Sequence, residues 1–274
     1  MVRCRSGSSC RAGGLRRADA PPPGGRAGRP GGGRGSADPH LGTDGSWSAV
    51  VWSDLTESDA NGAIAAEVAR AGGSLEWKHY SHDRPADLPD RLNAAGFQSE
   101  PVETVLVADI AELDLPVAAP AGMRVTGVDD PDGVETMLRV HDVVFGPGTT
   151  HPSVADAVRT ALTLQPRPID AVVAWAGDEP VSAGRVEFHE GTEFASLWGG
   201  GTLPAWRGRG VFRALVGHRA VLARDRGFRY LQVDAMPASR PILERMGFHP
   251  LAETTPWMRE DQRLSRRRWA WPAR

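Results

Sequence analysis

Thr202-Leu203-Pro204-Ala205-Trp206-Arg207-Gly208-Arg209-Gly210-Val211-Phe212 is the stretch on which the fold turns. Phe194 to Leu203 reads as a strand leading into it. Downstream, Val211, Ala214, Leu215 and Leu222 recur at helical spacing until Gly227 closes the pattern. The first N–H groups of a helix have no intrahelical partner, and the helix dipole adds partial positive charge there. Glycine lets an anion approach that backbone, and Arg207 and Arg209 add charge. The turn is therefore suited to a pyrophosphate.

After this turn and helix, Arg229 to Val233 reads as a strand. Ser239-Arg240-Pro241 starts a short helix, Gly247 ends it and Phe248 enters a last strand. Before the turn, Met123 to Val128 is a strand. Asp129 or Asp130 caps a helix with Pro131 in its first turn, and Val134, Leu138, His141 and Val144 share one face. Gly146-Pro147-Gly148 breaks it, and Ser153 is expected to cap a second helix through Leu164. Ile169–Trp175 and Val181–Phe188 are strands joined by a hairpin turn at Gly177 to Pro180.

Closer to the amino terminus, the pattern predicts strands at Ala49–Trp52, Leu75–Tyr80 and Glu103–Val107. Helices are predicted at Glu57–Ala71 and Pro85–Ala95. Leu92-Asn93-Ala94-Ala95-Gly96-Phe97 is similar to Leu243-Glu244-Arg245-Met246-Gly247-Phe248, and each has an Arg-Pro pair upstream. This reads as a degenerate internal repeat whose first copy lacks the Gly-rich turn. The organisation expected is a low-complexity tail (1–45), a small α/β segment (46–111), a Pro/Ala-rich linker (112–120), a larger unit (121–260) and a basic tail (261–274).

At 274 residues the chain can hold one large or two small domains, and its formal charge of -2 gives no overall bias toward nucleic acid or membrane. Lys78 is the only lysine. Cys4 and Cys10 both lie in the first tail, so the rest offers no disulfide, cysteine metal site or thiol nucleophile. No apolar run spans a bilayer, and no apolar run of a secretory signal follows the basic start; a cytoplasmic protein is expected. The Gly/Pro-rich, arginine-bearing first tail reads as a disordered tail or as translation upstream of the true start, rather than a nucleic-acid arm or transit peptide. Arg263 to Arg274 with Trp269 and Trp271 has residue types that bind single-stranded nucleic acid, but a solvated or packing tail is expected.

From Gly122 to Met258 the sequence resembles the GNAT superfamily of acyl-CoA-dependent N-acyltransferases. The signature Gln/Arg-x-x-Gly-x-Gly/Ala corresponds to Arg207-Gly208-Arg209-Gly210-Val211-Phe212, with Phe212 in the last small-residue place. The downstream Leu-Tyr-Glu-x-x-Gly-Phe corresponds to Ile242 through Phe248. The resemblance implies an α/β (α+β) fold. A central mixed, twisted sheet would carry helices on both faces, and two splayed strands would hold acyl-CoA. Residues 46–111 resemble the end of a second, reduced unit. Gly199 to Gly201 fit a strand bulge. Gly200, Gly201 and Thr202 fall where strand backbone pairs with the pantetheine arm. Arg207, Gly208, Arg209, Gly210, Val211 and Phe212 would cradle the pyrophosphate. Ser239 would reach the phosphates or cap its helix, the cap being favoured.

The reaction the resemblance implies is acetyl transfer from acetyl-CoA to a primary amine of a small molecule, by direct attack in a ternary complex. It needs a base for the ammonium proton, N–H groups for the oxyanion and a proton for the departing thiolate. The family's tyrosine acid maps to Leu243 and its strand carboxylate maps near Ser196. Glu193 and Glu187 are then the nearest catalytic carboxylates, with His189 a third candidate and Asp234 a fourth. Each also reads as an exposed strand-end charge. His141 reads as a core or acceptor-wall residue. Val144 to Ser153, with Thr149, Thr150 and His151, would line the acceptor side, and Trp198 would wall the cleft. No Cys/His/Asp cluster has metal-ligand spacing. The partners expected are acetyl-CoA and an amine, without membrane or nucleic acid, in a monomer or homodimer. The alternative is a non-catalytic acyl-CoA-binding or regulatory module of the same fold.

Overall fold

The computed structural model describes residues 36–37 and 47–260. The tail 261–274 and most of the tail 1–45 lie outside the described residues. Eleven strands form one mixed sheet. The amino-terminal part runs β1 (Ser36–Ala37), β2 (Trp47–Trp52), α1 (Ala60–Arg70), β3 (Ser74–Tyr80), α2 (Leu88–Ala94), β4 (Gln98–Ser99) and β5 (Glu103–Asp109). The rest runs β6 (Met123–Gly127), α3 (Pro131–Phe145), α4 (Pro152–Ala161), β7 (Ile169–Ala176), β8 (Glu179–Phe188), β9 (Phe194–Thr202), α5 (Val211–Asp225), β10 (Tyr230–Ala235), α6 (Arg240–Glu244) and β11 (His249–Arg259).

The strand order is β1-β2-β3-β11-β5-β10-β9-β8-β7-β6, with β4 on β11. Only β2/β3 and β9/β10 pair in parallel; each pair is joined by a helix, α1 or α5. β5 lies between β10 and β11, and β11 lies between β5 and β3. The sheet thus passes without a break from residues 47–109 into residues 123–259.

The internal similarity has a structural counterpart. Phe97 N–H donates to the Leu92 carbonyl at 3.0 Å, and Phe248 N–H to the Leu243 carbonyl at 3.1 Å. Gly96 and Gly247 sit at φ +89° and +102°, the left-handed turn that closes a helix and suits glycine. Both phenylalanines are then buried.

Strand alternation sorts the two faces. Leu75 and Trp77 face α1 and α2, while Val172, Ala174, Leu197 and Leu231 share clusters with α5 or α6 residues. Ala171, Val173 and Ala183 point the other way, onto α3 and α4. Register carries that second face across the sheet. Arg185 lies opposite Trp198, Ser196 opposite Gln232, and Asp234 opposite Val105. Glu76 lies opposite Met258 on the same face. α3 and α4 cover this face over β7 to β9, and no described helix continues over β10, β5, β11 and β3.

Three expectations about helix ends divide. Asp130 caps α3, accepting from Gly133 N–H at 2.7 Å. Ser153 does not cap α4: Pro152 takes the first helical position, so the cap is His151, whose Nδ1 accepts from Ser153 N–H. Ser239 does not cap α6 either; its backbone is helical, and its hydroxyl donates to the Met236 carbonyl at 3.1 Å.

Candidate active site

The glycines of β9 make a bulge. Ala183 faces Gly201 and Arg185 faces Trp198, so Gly184 alone stands opposite both Gly199 and Gly200. Gly199 has φ +58°. A Cβ on Gly201 would come within 2.6 Å of Val144 Cγ1 and 2.9 Å of Phe145 Cζ. The run of glycines therefore lets α3 close down on β9. Arg219, which is fully buried, anchors the bulge from α5. Its Nη1 donates to the Arg185 carbonyl at 3.0 Å and the Trp198 carbonyl at 3.4 Å, and its Nε to the Leu215 carbonyl. Burial, and then the charge of Arg185, push its pKa down to about 9, which still leaves it charged near neutral pH.

β9 and β10 part immediately before the bulge. They pair at Phe194/Tyr230, Ala195/Leu231 and Ser196/Gln232, and then diverge although both strands continue. Glu193 holds the closed end, its carbonyl accepting from the N–H groups of Arg229 and Tyr230. From Leu197 onward, the edge of β9 toward β10 has no strand partner. At the end of β9, Arg207 Nε donates to the Thr202 carbonyl at 3.0 Å. Gly208 and Gly210 take φ +72° and +82°, so α5 starts only at Val211. No side chain caps α5. A Cβ on Gly208 would meet nothing within 4 Å. An exposed turn with an uncapped helix start has the donors and space a pyrophosphate needs, and an open strand edge suits an amide-bearing chain.

A cavity of about 360 Å³ opens beside the bulge. Trp198, Gly199 and Arg185 form its floor, and His141, Phe145, Thr149, Thr150 and His151 form one wall. The expected acceptor-side residues are thus brought together. The opposite wall comes from the amino-terminal segment and the end of β11: Trp47, Glu76, Glu100, Met258 and Glu260. Those residues were not singled out in the sequence. His141 is buried; its Nδ1 lies 3.3 Å from Thr150 Oγ1, and among the described residues no group meets Nε2 in full hydrogen-bond geometry. Burial, with Arg185 adding and a long contact to the Gly199 backbone opposing, pushes its pKa down to about 4, so the ring is neutral near pH 7.

Glu187 and Glu193 do not line this cavity. Glu187 accepts from Arg185 Nε at 2.7 Å, and Glu193 is exposed. Ser196 is a hub instead: Trp198 Nε1 donates to its oxygen at 2.7 Å, and His189 Nε2 lies 2.8 Å away. Leu243 is buried in the core. Asp234 faces Lys78 rather than solvent, Oδ2 to Nζ at 2.6 Å, and Glu103 Oε2 lies 3.3 Å from the same nitrogen. Burial opposes the Lys78 charge, but Asp234 and Glu103 outweigh it and hold the ammonium above its ordinary range. Its nitrogen also lies 5.6 Å from the centre of the Trp198 ring.

A parted parallel strand pair, a bulge and a Gly-rich helix start define an acetyltransferase fold of the GNAT type. Residues 137–248 match the acetyltransferase (GNAT) family model. The fold is shared with a GCN5-related N-acetyltransferase from Kribbella flavida (TM-score 0.59, 15% identity, 80% of this chain and 83% of the other). It is also shared with one from Sphaerobacter thermophilus (0.54, 14%, 80% and 75%) and with a tandem GNAT protein from the clavulanic acid biosynthesis pathway (0.53, 15%, 78% and 75%). No curated protein matches the sequence. No described helix is long and apolar enough to cross a membrane, and no described cluster of His, Cys, Asp or Glu is placed to hold a metal ion.

Proposed function

We propose that the protein is a cytoplasmic N-acetyltransferase that moves an acetyl group from acetyl-CoA to a primary amine of a small molecule, by direct attack in a ternary complex. The observation that carries this reading is the continuity of one path. It runs from the open turn at Arg207–Phe212, along the unpaired edge of β9, to the cavity at Gly199. Acetyl-CoA supplies the activated acyl group. Val211, Phe212 and Arg213 N–H groups would hold its phosphates, with Gly208 and Gly210 allowing close approach. Gly200, Gly201 and Thr202 would border its pantetheine arm. Strand backbone near the bulge would donate to the oxyanion.

The test is acetyl-CoA binding by calorimetry and CoA release with an amine panel. Gly210→Val places a branched side chain at φ +82° in the turn, and binding is expected to be lost. Unchanged acetyl-CoA affinity in a folded Gly210→Val protein would overturn the assignment of the turn. Acetyl-CoA binding by the wild type without CoA release to any amine would favour a non-catalytic module.

A further inference from the structure

The cavity carries more negative charge than the described residues neutralise. Glu76 and Glu100 are half-buried in its wall and Glu260 is exposed at its edge. The Glu76 carboxylate makes no hydrogen bond or salt bridge with any described residue. The nearby cations are engaged elsewhere: Lys78 with Asp234 and Glu103, Arg185 with Glu187. An independent feature points to a ligand in the same space. His141, 1% exposed, borders the cavity with its Nε2 edge beside Gly199; only the Gly199 backbone approaches that nitrogen, and no group meets it in full hydrogen-bond geometry. A buried polar atom left without a partner is costly unless something else satisfies it.

The wall is also ordered in depth. Lys78 reaches the Trp198 ring. Glu76 is the next residue on that face of β3, about 7 Å along the strand. Ser74 follows, paired with Trp47 at the cavity's outer side. One carboxylate therefore stands on β3 beside Lys78, and the others, Glu100 and Glu260, lie just past the ends of β4 and β11.

We propose that the amino-terminal half completes the acceptor site. Glu76 takes the proton from the acceptor's ammonium group, and the acceptor is a dication whose second ammonium group lies against Glu100 and Glu260. This rests on the acetyltransferase reading. The groups facing Glu76 are Lys78, Asp234 and Glu100, with Arg185, His141, His151 and Glu260 around the cavity and Glu103 and Tyr80 beyond Lys78. Burial raises the Glu76 carboxyl most; Lys78 opposes this, and Asp234 and Glu100 reinforce it. Burial and then Glu260 raise Glu100. A carboxyl moved toward neutrality is a better match for an ammonium proton. In the step, a Glu76 oxygen takes one proton and the freed nitrogen lone pair attacks the thioester carbonyl carbon. The C–N bond forms and the C–S bond breaks. The nitrogen's second proton ends on the CoA sulfur, and Glu76 returns its proton to water. The products are one amide, one thiol and one released proton.

Two probes that differ by one ammonium group test the acceptor class: 1,4-bis(aminomethyl)benzene and 4-methylbenzylamine. Calorimetry on the full chain without acetyl-CoA should show the dication binding about tenfold tighter, and Glu100→Gln with Glu260→Gln should erase that preference. Equal affinities in the wild type would overturn the second-cation site. For the base, Glu76→Gln should lower CoA release with the best amine of a panel by about 100-fold, the scale of general-base catalysis. Acetyl-CoA affinity should be unchanged, and the melting temperature at pH 8 should rise, because a carboxylate whose ionisation burial opposes has been removed. CoA release within twofold of wild type would overturn the role of Glu76. A wild type that does not bind acetyl-CoA would sink the acetyltransferase reading instead, while the calorimetric comparison would still judge the dication site.

Discussion

Lys78→Met is the most severe single perturbation of the junction between the two parts of the sheet. Lys78 and Asp234 have side-chain exposures of only 7% and 6%, and Glu103 of 19%. At an effective dielectric of about 20, contacts of 2.6 and 3.3 Å correspond to gross attractions of about 6 and about 5 kcal/mol. Desolvation of the three ions cancels much of that in the wild type. The variant keeps the desolvation of both carboxylates and loses the attraction. Asp234 Oδ1 already has no partner, so no spare donor takes over. Breaking a buried pair in this way costs about 3–5 kcal/mol. For a chain of this size that lowers the melting temperature by about 6–20 °C. The sign with pH follows from the carboxylates. Burial already holds the Glu103 carboxyl above its ordinary range against the pull of Lys78, and without Lys78 it rises further, so Glu103 destabilises above the unfolded pKa and the penalty falls as it takes up a proton. Urea titrations at pH 8 and pH 5 should show a large loss that narrows at the lower pH, and adding Asp234→Asn should restore part of it. A loss under about 1 kcal/mol, the scale of a surface pair, would refute the argument, as would a loss unchanged between the two pH values.

Arg219→Met removes the donors that hold the Arg185 and Trp198 carbonyls across the bulge. Acetyl-CoA affinity should fall together with stability, and Arg219→Lys should restore little because an ammonium lacks the fork that bonds the Leu215 carbonyl through Nε while Nη1 reaches the Arg185 and Trp198 carbonyls. Chemical denaturation and calorimetry read both effects. Gly201→Ala should cost about 1–3 kcal/mol through overpacking against Val144 and Phe145. Gly208→Ala, with open space but φ +72°, should cost about 1–2 kcal/mol from backbone strain alone; only the first should be relieved by Val144→Ala. His141, neutral in the fold and pushed down to about 4, should make stability fall as pH drops from about 6.5, its unfolded value, toward 4. His141→Gln should flatten that part of a melting-temperature profile.

The elements from Met123 to Phe248 were legible because their signals are local. Helix periodicity, Pro131 in a first turn, and glycines at forced turns each act within a few residues. The bulge was legible for the same reason, as three successive glycines are hard to place in a plain strand. What escaped was set by strands distant in sequence. Nothing near Glu76 indicates that β3 will pair with β11, or that Lys78 will meet Asp234. The usable signals were indirect. Leu75 and Trp77 alternate with Glu76, Lys78 and Tyr80, which gives β3 one polar face, and Lys78 is the only lysine of the chain. Arg219 lies four residues after Leu215, on the buried stripe of α5, where a lone arginine signals a buried task. The two misplaced helix caps have a local cause. Ser153 and Ser239 are both cap-type residues, but Pro152 shifts the first cap to His151, and a helical backbone at Ser239 turns its hydroxyl away from the α6 N–H groups.

The exchange of third strands explains why the cavity forms where it does. With the two-residue β4 set aside, the series β2-α1-β3-α2-β5 has the same order as β9-α5-β10-α6-β11. In each series the third strand joins the second strand of the other: β5 pairs with β10, and β11 with β3. Two consequences follow. All six residues of β10 pair with β5, so the strand keeps one complete ladder while its other edge leaves β9 after Gln232. The gap therefore leaves one edge of backbone groups for a ligand to satisfy, without freeing β10 from the sheet. The same exchange sets β3 beside β11 on the face that holds Trp198, which puts Glu76 across from the bulge. In the first series the parallel pair runs from Trp47 to Val50 and only the ends of β2 and β3 continue past it, whereas six residues of β9 run on beyond Ser196; and Asp59, not a glycine in a left-handed turn, precedes α1. One series thus provides the turn and the parted strands, and the other provides the acidic wall that faces them.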